Sequence, residues 1–346
     1  MYITGLGTVV PPQKFTQAEC WEAIRVSPQF AVLASRSQAI LRKVLSGQNG
    51  IESRNLALEP IAEAFEITPD AMHARFERVA PQLGEEAARR ALAEAGLRPD
   101  EIGALVVATC TGYLCPGLSS YIGERLGLSR RAQLLDLVGL GCGAAVPALR
   151  TAEALLGTTQ HVLTVCVEVC SAAVYLDDDP GVLISACLFG DGAAAAVCSQ
   201  RAQPDAREIR WVRAESLHAP EAREKLRFEH RGGLLRNVLA PDVPALSAKF
   251  AADVLSLAGL EKGDIAEWLL HSGGRDVLRE IAARIGLDDA ALRHTSAVLR
   301  EHGNMSSPSC LFALRRALDE NAPGGNWWLA SFGAGFSSHG ALLEVK

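Results

Sequence analysis

Aromatic side chains make up only 5% of this 346-residue chain. Its interior must therefore pack through small and branched residues rather than large rings. No stretch reaches about 18 apolar residues, which argues against a membrane-spanning helix. Runs of lysine and arginine are missing too, and with a net charge of −6 a nucleic-acid partner is not expected. None of the nine cysteines is spaced Cys-x-x-Cys, so no metal site is expected. The first residues show no charged stretch leading into an apolar one. Together with an odd, scattered set of cysteines, that points to reduced thiols and a cytoplasmic protein.

What is abundant is glycine, 31 residues, and alanine, which suit close packing of helices on a sheet. Tyr2 to Val9 reads as a strand. Thr16 to Arg25 reads as a helix, with Thr16 as N-cap and Glu19 at the capping-box spacing. Pro81 to Ala95 reads as a long Ala/Glu/Arg helix. Leu134 to Val138 is apolar except for Asp136 and reads as a buried strand. Gly139-Leu140-Gly141-Cys142-Gly143 then turns the chain into a helix from Ala144. Cys142 is thus expected at a helix start, where unpaired backbone N–H groups favour a thiolate and an oxyanion.

A gapless echo links Ala95–Val107, AGLRPDEIGALVV, to Ala258–Leu270, AGLEKGDIAEWLL. In each copy a helix ends on Ala-Gly-Leu, a polar turn follows and an apolar strand begins. Phe189-Gly190-Asp191-Gly192-Ala193 is echoed by Phe332-Gly333-Ala334-Gly335-Phe336, each leading into a closing strand. The chain reads as two related α/β halves, residues 1–203 and 204–346. In that frame Ala108 lies 34 residues before Cys142 and His271 lies 33 before Asn304. His271 leaves a strand at its C-terminal end, where reactive groups of α/β sheets gather. A two-fold relation of the halves would bring Cys142, His271 and Asn304 to one crevice.

Taken singly, each of the three is more often structural, and His302, two residues before Asn304, is read as a decoy or a supporting group behind the site. Together they suit one chemistry. A cysteine paired with an imidazole attacks a thioester and forms an acyl-enzyme. The histidine and the asparagine amide then donate to a second thioester carbonyl, stabilising the enolate left when carbon dioxide departs.

The runs LVGLGCGAA, CLFGDGAAAA, LLHSGG, HGNMSSPS and SFGAGFSS resemble the thiolase-fold condensing enzymes, and within them the chalcone synthase-like type III polyketide synthases. The resemblance implies an α/β class and a duplicated thiolase-like fold, two similar halves in α-β-α-β-α layers. It implies decarboxylative Claisen condensation of malonyl-CoA onto an acyl-CoA starter carried on Cys142, with no bound cofactor. His271 and Asn304 would promote decarboxylation, and Phe189 would separate a coenzyme A tunnel from the product cavity. Thr111, Cys115, Cys170, Ala173, Ser306, Gly333 and Gly335 would shape that cavity. Lys43, Gly273 and Gly274 would meet coenzyme A, and the turn at Cys115-Pro116-Gly117 would cross a homodimer interface. The family's second gatekeeper phenylalanine is expected near residue 236, where this chain has Leu235, Arg236 and Asn237. Rival readings are an initiating ketoacyl synthase fed by acyl carrier protein, a papain-like hydrolase, which should carry tryptophan where Gly143 stands, and a non-catalytic thiolase-fold scaffold.

Overall fold

In the computed structural model, which describes residues 1–47 and 49–346, β1 (Tyr2–Val9) and β2 (Lys14–Thr16) precede α1 (Gln17–Arg25), α2 (Pro28–Ala31), α3 (Ser35–Ser46), β3 (Ser53–Asn55) and α4 (Pro69–Ala95). There follow β4 (Ala104–Ala108), α5 (Leu118–Leu126), β5 (Gln133–Leu137), α6 (Ala145–Leu155), β6 (His161–Glu168), α7 (Pro180–Leu188) and β7 (Gly192–Ser199). The remainder comprises β8 (Ile209–His218), the hairpin β9 (Leu226–Arg231) and β10 (Leu234–Leu239), α8 (Val243–Leu257) and β11 (Glu267–Leu270). It ends with α9 (Arg275–Ile285), α10 (Arg293–His302), α11 (Ser309–Asp319), β12 (Gly325–Gly333) and β13 (Ser337–Val345).

Nine strands form one sheet in the order β11-β12-β13-β8-β1-β7-β6-β4-β5. The order is mirrored about the β8–β1 seam. On one side β1 and β7 run antiparallel, as do β7 and β6, and β6 then runs parallel to β4. On the other, β8, β13 and β12 alternate in direction and β12 runs parallel to β11. The two echoed segments therefore occupy matching places, β4 with β11 and β7 with β13.

Helices and strands stack in five layers. Leu105 and Val107 face α4 and α5, burying Phe76, Leu83, Ala87, Ala91 and Ile122. Their alternate neighbours Ala104, Val106 and Ala108 face a central layer containing Val146 and Leu149 of α6 and Leu311 and Leu314 of α11, which also receives Trp327 and Leu329. Trp328 and Ala330 point the other way, onto α8 and α9. This alternation is the period of two that a strand buried on both faces requires.

Two expectations change. The helix read from Pro81 begins twelve residues earlier, at Pro69, where Thr68 caps it by accepting from Ala71 N–H. It runs through Pro81 because the buried face on both sides outweighs the one hydrogen bond a proline removes. The strand read as buried, β5, is instead the edge of the sheet, paired only to β4. Leu134 is 44% exposed and Val138, just beyond the strand, 57%. Asp136 earns its place differently: its carboxylate accepts from Ser119 N–H (3.0 Å) and caps α5, whose N-cap residue is Gly117.

Candidate active site

Cys142 lies in a single 3-10 turn, Gly141–Gly143, between β5 and α6. Gly141 adopts φ +56°, a conformation side chains disfavour. Behind the turn sits Gly333 at the end of β12, where a Cβ would come 2.5 Å from Gly143 N and 3.0 Å from Cys142 N. Ser331 Oγ donates to the Gly143 carbonyl at 2.8 Å. The second half of the chain thus fixes the backbone of the cysteine from the rear.

His271 follows β11 and is held by its own N–H donating to the Ala330 carbonyl (2.8 Å). Its ring meets Phe332 edge-on, with centroids 5.0 Å apart. Asn304 follows α10, and backbone hydrogen bonds to Leu188 and Gly190 (2.9 and 3.0 Å) stitch it to the end of α7, beside Phe189. The Asn304 side chain has a defined orientation. Ser306 N–H can only donate, so the oxygen it meets at 2.8 Å must be Asn304 Oδ1. The amide nitrogen therefore faces away, 3.3 Å from the Gly273 carbonyl. Ser306 pays for this turn with φ +60°, a strained conformation for a serine.

Cys142, His271, Asn304 and Phe189 all line one tunnel of about 720 Å³. Lys43, Gly273, Gly274 and Ala334 line it as well. Behind it is an inner pocket of only about 10 Å³, lined by Cys110, Thr111, Cys170, Ala173 and Ser306 among others. Cys115, Gly333 and Gly335 line neither volume; Cys115 is exposed at the surface. His302 is tucked away from the tunnel, with Nδ1 3.0 Å from Asn55 Oδ1. No aromatic stands at Leu235, Arg236 or Asn237, but one faces them from the opposite strand. Phe228 of β9 pairs with Asn237 of β10 and lines both volumes beside Phe189.

The electrostatics depart from the sequence reading. Burial, against a hydrogen bond from Ser306, pushes the Cys142 thiol up to about 12, and burial lowers His271 to about 4. Burial thus favours the neutral thiol and the neutral imidazole over thiolate and imidazolium, because desolvation of each outweighs the pull of the nearby amides. Ser306 Oγ lies 3.2 Å from Cys142 Sγ and 3.3 Å from Glu168 Oε1. One hydroxyl proton can serve only one of them at a time. Glu168 is fully buried at the end of β6, its carboxyl raised by that burial while Ser307, Cys110 and Thr111 hydrogen-bond to it. The sequence did carry its signal: Glu168 is the one charged residue in the apolar run VLTVCVEVC.

A family profile described as FAE1/Type III polyketide synthase-like protein matches residues 10–215, and one described as 3-oxoacyl-[acyl-carrier-protein] synthase III C terminal matches residues 255–345. The chain is 32% identical to 3,5-dihydroxyphenylacetyl-CoA synthase of Streptomyces toyocaensis, over 99% of this chain and 89% of that protein. It is 30% identical to the alpha-pyrone synthesis polyketide synthase-like Pks18 of Mycobacterium tuberculosis, over 99% and 91%. The crystal structure of PKS-I from the brown alga Ectocarpus siliculosus superposes with a TM-score of 0.89 at 26% identity, covering 99% of this chain and 97% of that one.

Proposed function

Because the chain belongs to the type III polyketide synthases, we propose that Cys142 carries the acyl chain and that His271 and Asn304 drive malonyl decarboxylation. The protein is an acyltransferase that condenses malonyl-CoA with an acyl-CoA starter to give a pyrone or aromatic polyketide. The observation that carries the residue assignment is their convergence on one tunnel from two halves of the sheet.

The steps are assigned on that reading. Neutral His271 takes the proton of Cys142 as sulfur attacks the starter thioester, and returns it to the departing coenzyme A sulfur. Malonyl-CoA then enters, and its carboxylate leaves as carbon dioxide. The electron pair left behind becomes an enolate, whose oxygen accepts from the His271 ring and from Asn304 Nδ2, the nitrogen that Ser306 has turned away from itself. The enolate carbon attacks the Cys142 thioester, the sulfur is expelled and takes up a proton from water, and a 3-oxoacyl-CoA results, ready to reload. The chemistry asks for nothing beyond the thioesters, and we place it in the cytoplasm, where they occur with reduced thiols. Lys43, at the tunnel wall, supplies a cation for the coenzyme A phosphates.

We also propose a homodimer formed at the β5 edge, where unpaired backbone and exposed Leu134 and Val138 flank Asp136, on which Gly117 of the Cys115-Pro116-Gly117 turn packs. Each protomer of that dimer would carry both halves, 1–203 and 204–346, and so its own complete site. The test of the catalytic reading is carbon dioxide release from malonyl-CoA. His271→Ala and Asn304→Ala should each lower it by roughly a hundredfold or more, as expected for losing one oxyanion donor. Release at the wild-type rate in both variants would remove the donor roles.

A further inference from the structure

The tunnel and the inner pocket share a wall made by Ser185, Phe189, Phe228 and Asn237. Half of this neck is aromatic and half is polar. Ser185 Oγ donates to the Gly181 carbonyl at 2.7 Å, so toward Asn237, 2.6 Å away, it can only accept. That fixes the Asn237 amide with Nδ2 toward Ser185. Among the described residues the Asn237 side chain makes no other hydrogen bond, although the residue is only 7% exposed. One N–H and the amide oxygen remain for whatever passes the neck.

The placement is rigid. Asn237 pairs with Phe228 across the hairpin, so the two side chains share the face turned to the cavity. Arg236, on the opposite face, bonds to Asp179 at the start of α7 and to Glu229 across the hairpin (2.9 Å for the latter), tying β10 down on the helix that ends at Phe189. The inner pocket has room for about one water, so a growing chain meets the neck from its first extension.

We propose that Asn237, oriented by Ser185, is a specificity-determining residue that donates its spare N–H to the 3-oxo group of the extending chain, favouring 3-oxoacyl thioesters over saturated ones. This rests on the polyketide reading above, since only that chemistry delivers a 3-oxo chain to the neck. A site built to hydrogen-bond a substrate oxygen discriminates against the analogue that lacks it, because its own polar group is left unpaired.

The test compares kcat/KM for 3-oxohexanoyl-CoA and hexanoyl-CoA as starters, with malonyl-CoA as extender, in the wild type and in Asn237→Leu. The ratio of the two should fall about fivefold, the factor a neutral hydrogen bond typically supplies. Ser185→Ala, which frees the amide to turn, should move the ratio the same way and serves if Asn237→Leu does not fold. A purely structural role lowers both starters equally, and an unchanged ratio in the folded variants overturns the proposal. Intact mass of the wild type with each starter is read first. No adduct on Cys142 there would bring down the polyketide reading, an outcome distinct from an unchanged ratio.

Discussion

At the scale of single residues, the site is governed by what burial does to charge. His271 is neutral at pH 7 because its buried ring titrates at about 4 rather than at the ordinary 6.5. A lowered histidine pKa means that the proton-accepting form persists as pH falls until about 4, and only then disappears. Acylation of Cys142 by acyl-CoA, followed by quenched-flow mass spectrometry, should therefore lose little through His271 protonation between pH 7 and 5 and fall steeply near 4. Half-loss near 6.5 would mean the ring is not desolvated. That Cys142, His271 and Asn304 would meet at one cavity was legible because the internal echo put Cys142 and Asn304 in matching frames. Their protonation was not, since it depends on how completely the tunnel walls exclude water. Glu168 was missed because a lone carboxylate in an apolar strand is visible in sequence while its partners Ser306 and Ser307, 138 and 139 residues away, are not. Phe228 was missed for a related reason. Its place at the cavity follows from the hairpin register, which sets residue 228 opposite 237.

At the scale of elements, scarcity of aromatics and excess of glycine and alanine set how closely helices approach the sheet. Gly5 and Gly7 of β1 lie against Ala91 and Ala87 of α4, and a Cβ at either glycine would come 2.1 Å from a helix carbonyl. Gly7→Ala should therefore push α4 off the sheet and destabilise the protein by about 1–3 kcal/mol, read as a lower midpoint in urea unfolding; an unchanged midpoint would show that the helix gives way freely. The continuous apolar run of β4 and the capped helix α1 with its Thr16–Glu19 box were readable from local pattern alone. The edge position of β5 was not, because an apolar strand looks the same from sequence whether its second neighbour belongs to the same chain or to another. The echo also breaks down here. The first half has β5 before Cys142, whereas the helix α10 leads directly to Asn304, which is why Asn304 can be stitched to α7 rather than to a strand.

At the scale of the whole molecule, the mirrored sheet makes one tunnel from two halves and ends on two edge strands, of which β11 is buried and β5 exposed. If that edge pairs with a second copy, Val138→Asp should convert a dimer to a monomer in sedimentation analysis, because a charge on the seam would have to be buried without a partner. A variant that sediments as the wild-type dimer would move the interface elsewhere. The fold class and the layering were readable because they follow from duplication and periodicity. The neck and its polar half depend on contacts between distant elements and emerge only from the coordinates. The central claim is that one sulfur accepts the acyl group at the meeting point of the two halves. Intact mass spectrometry after incubation with an acyl-CoA tests it most directly. The wild type should gain the mass of one acyl group and Cys142→Ala should gain none, whereas equal adducts on both proteins would contradict it.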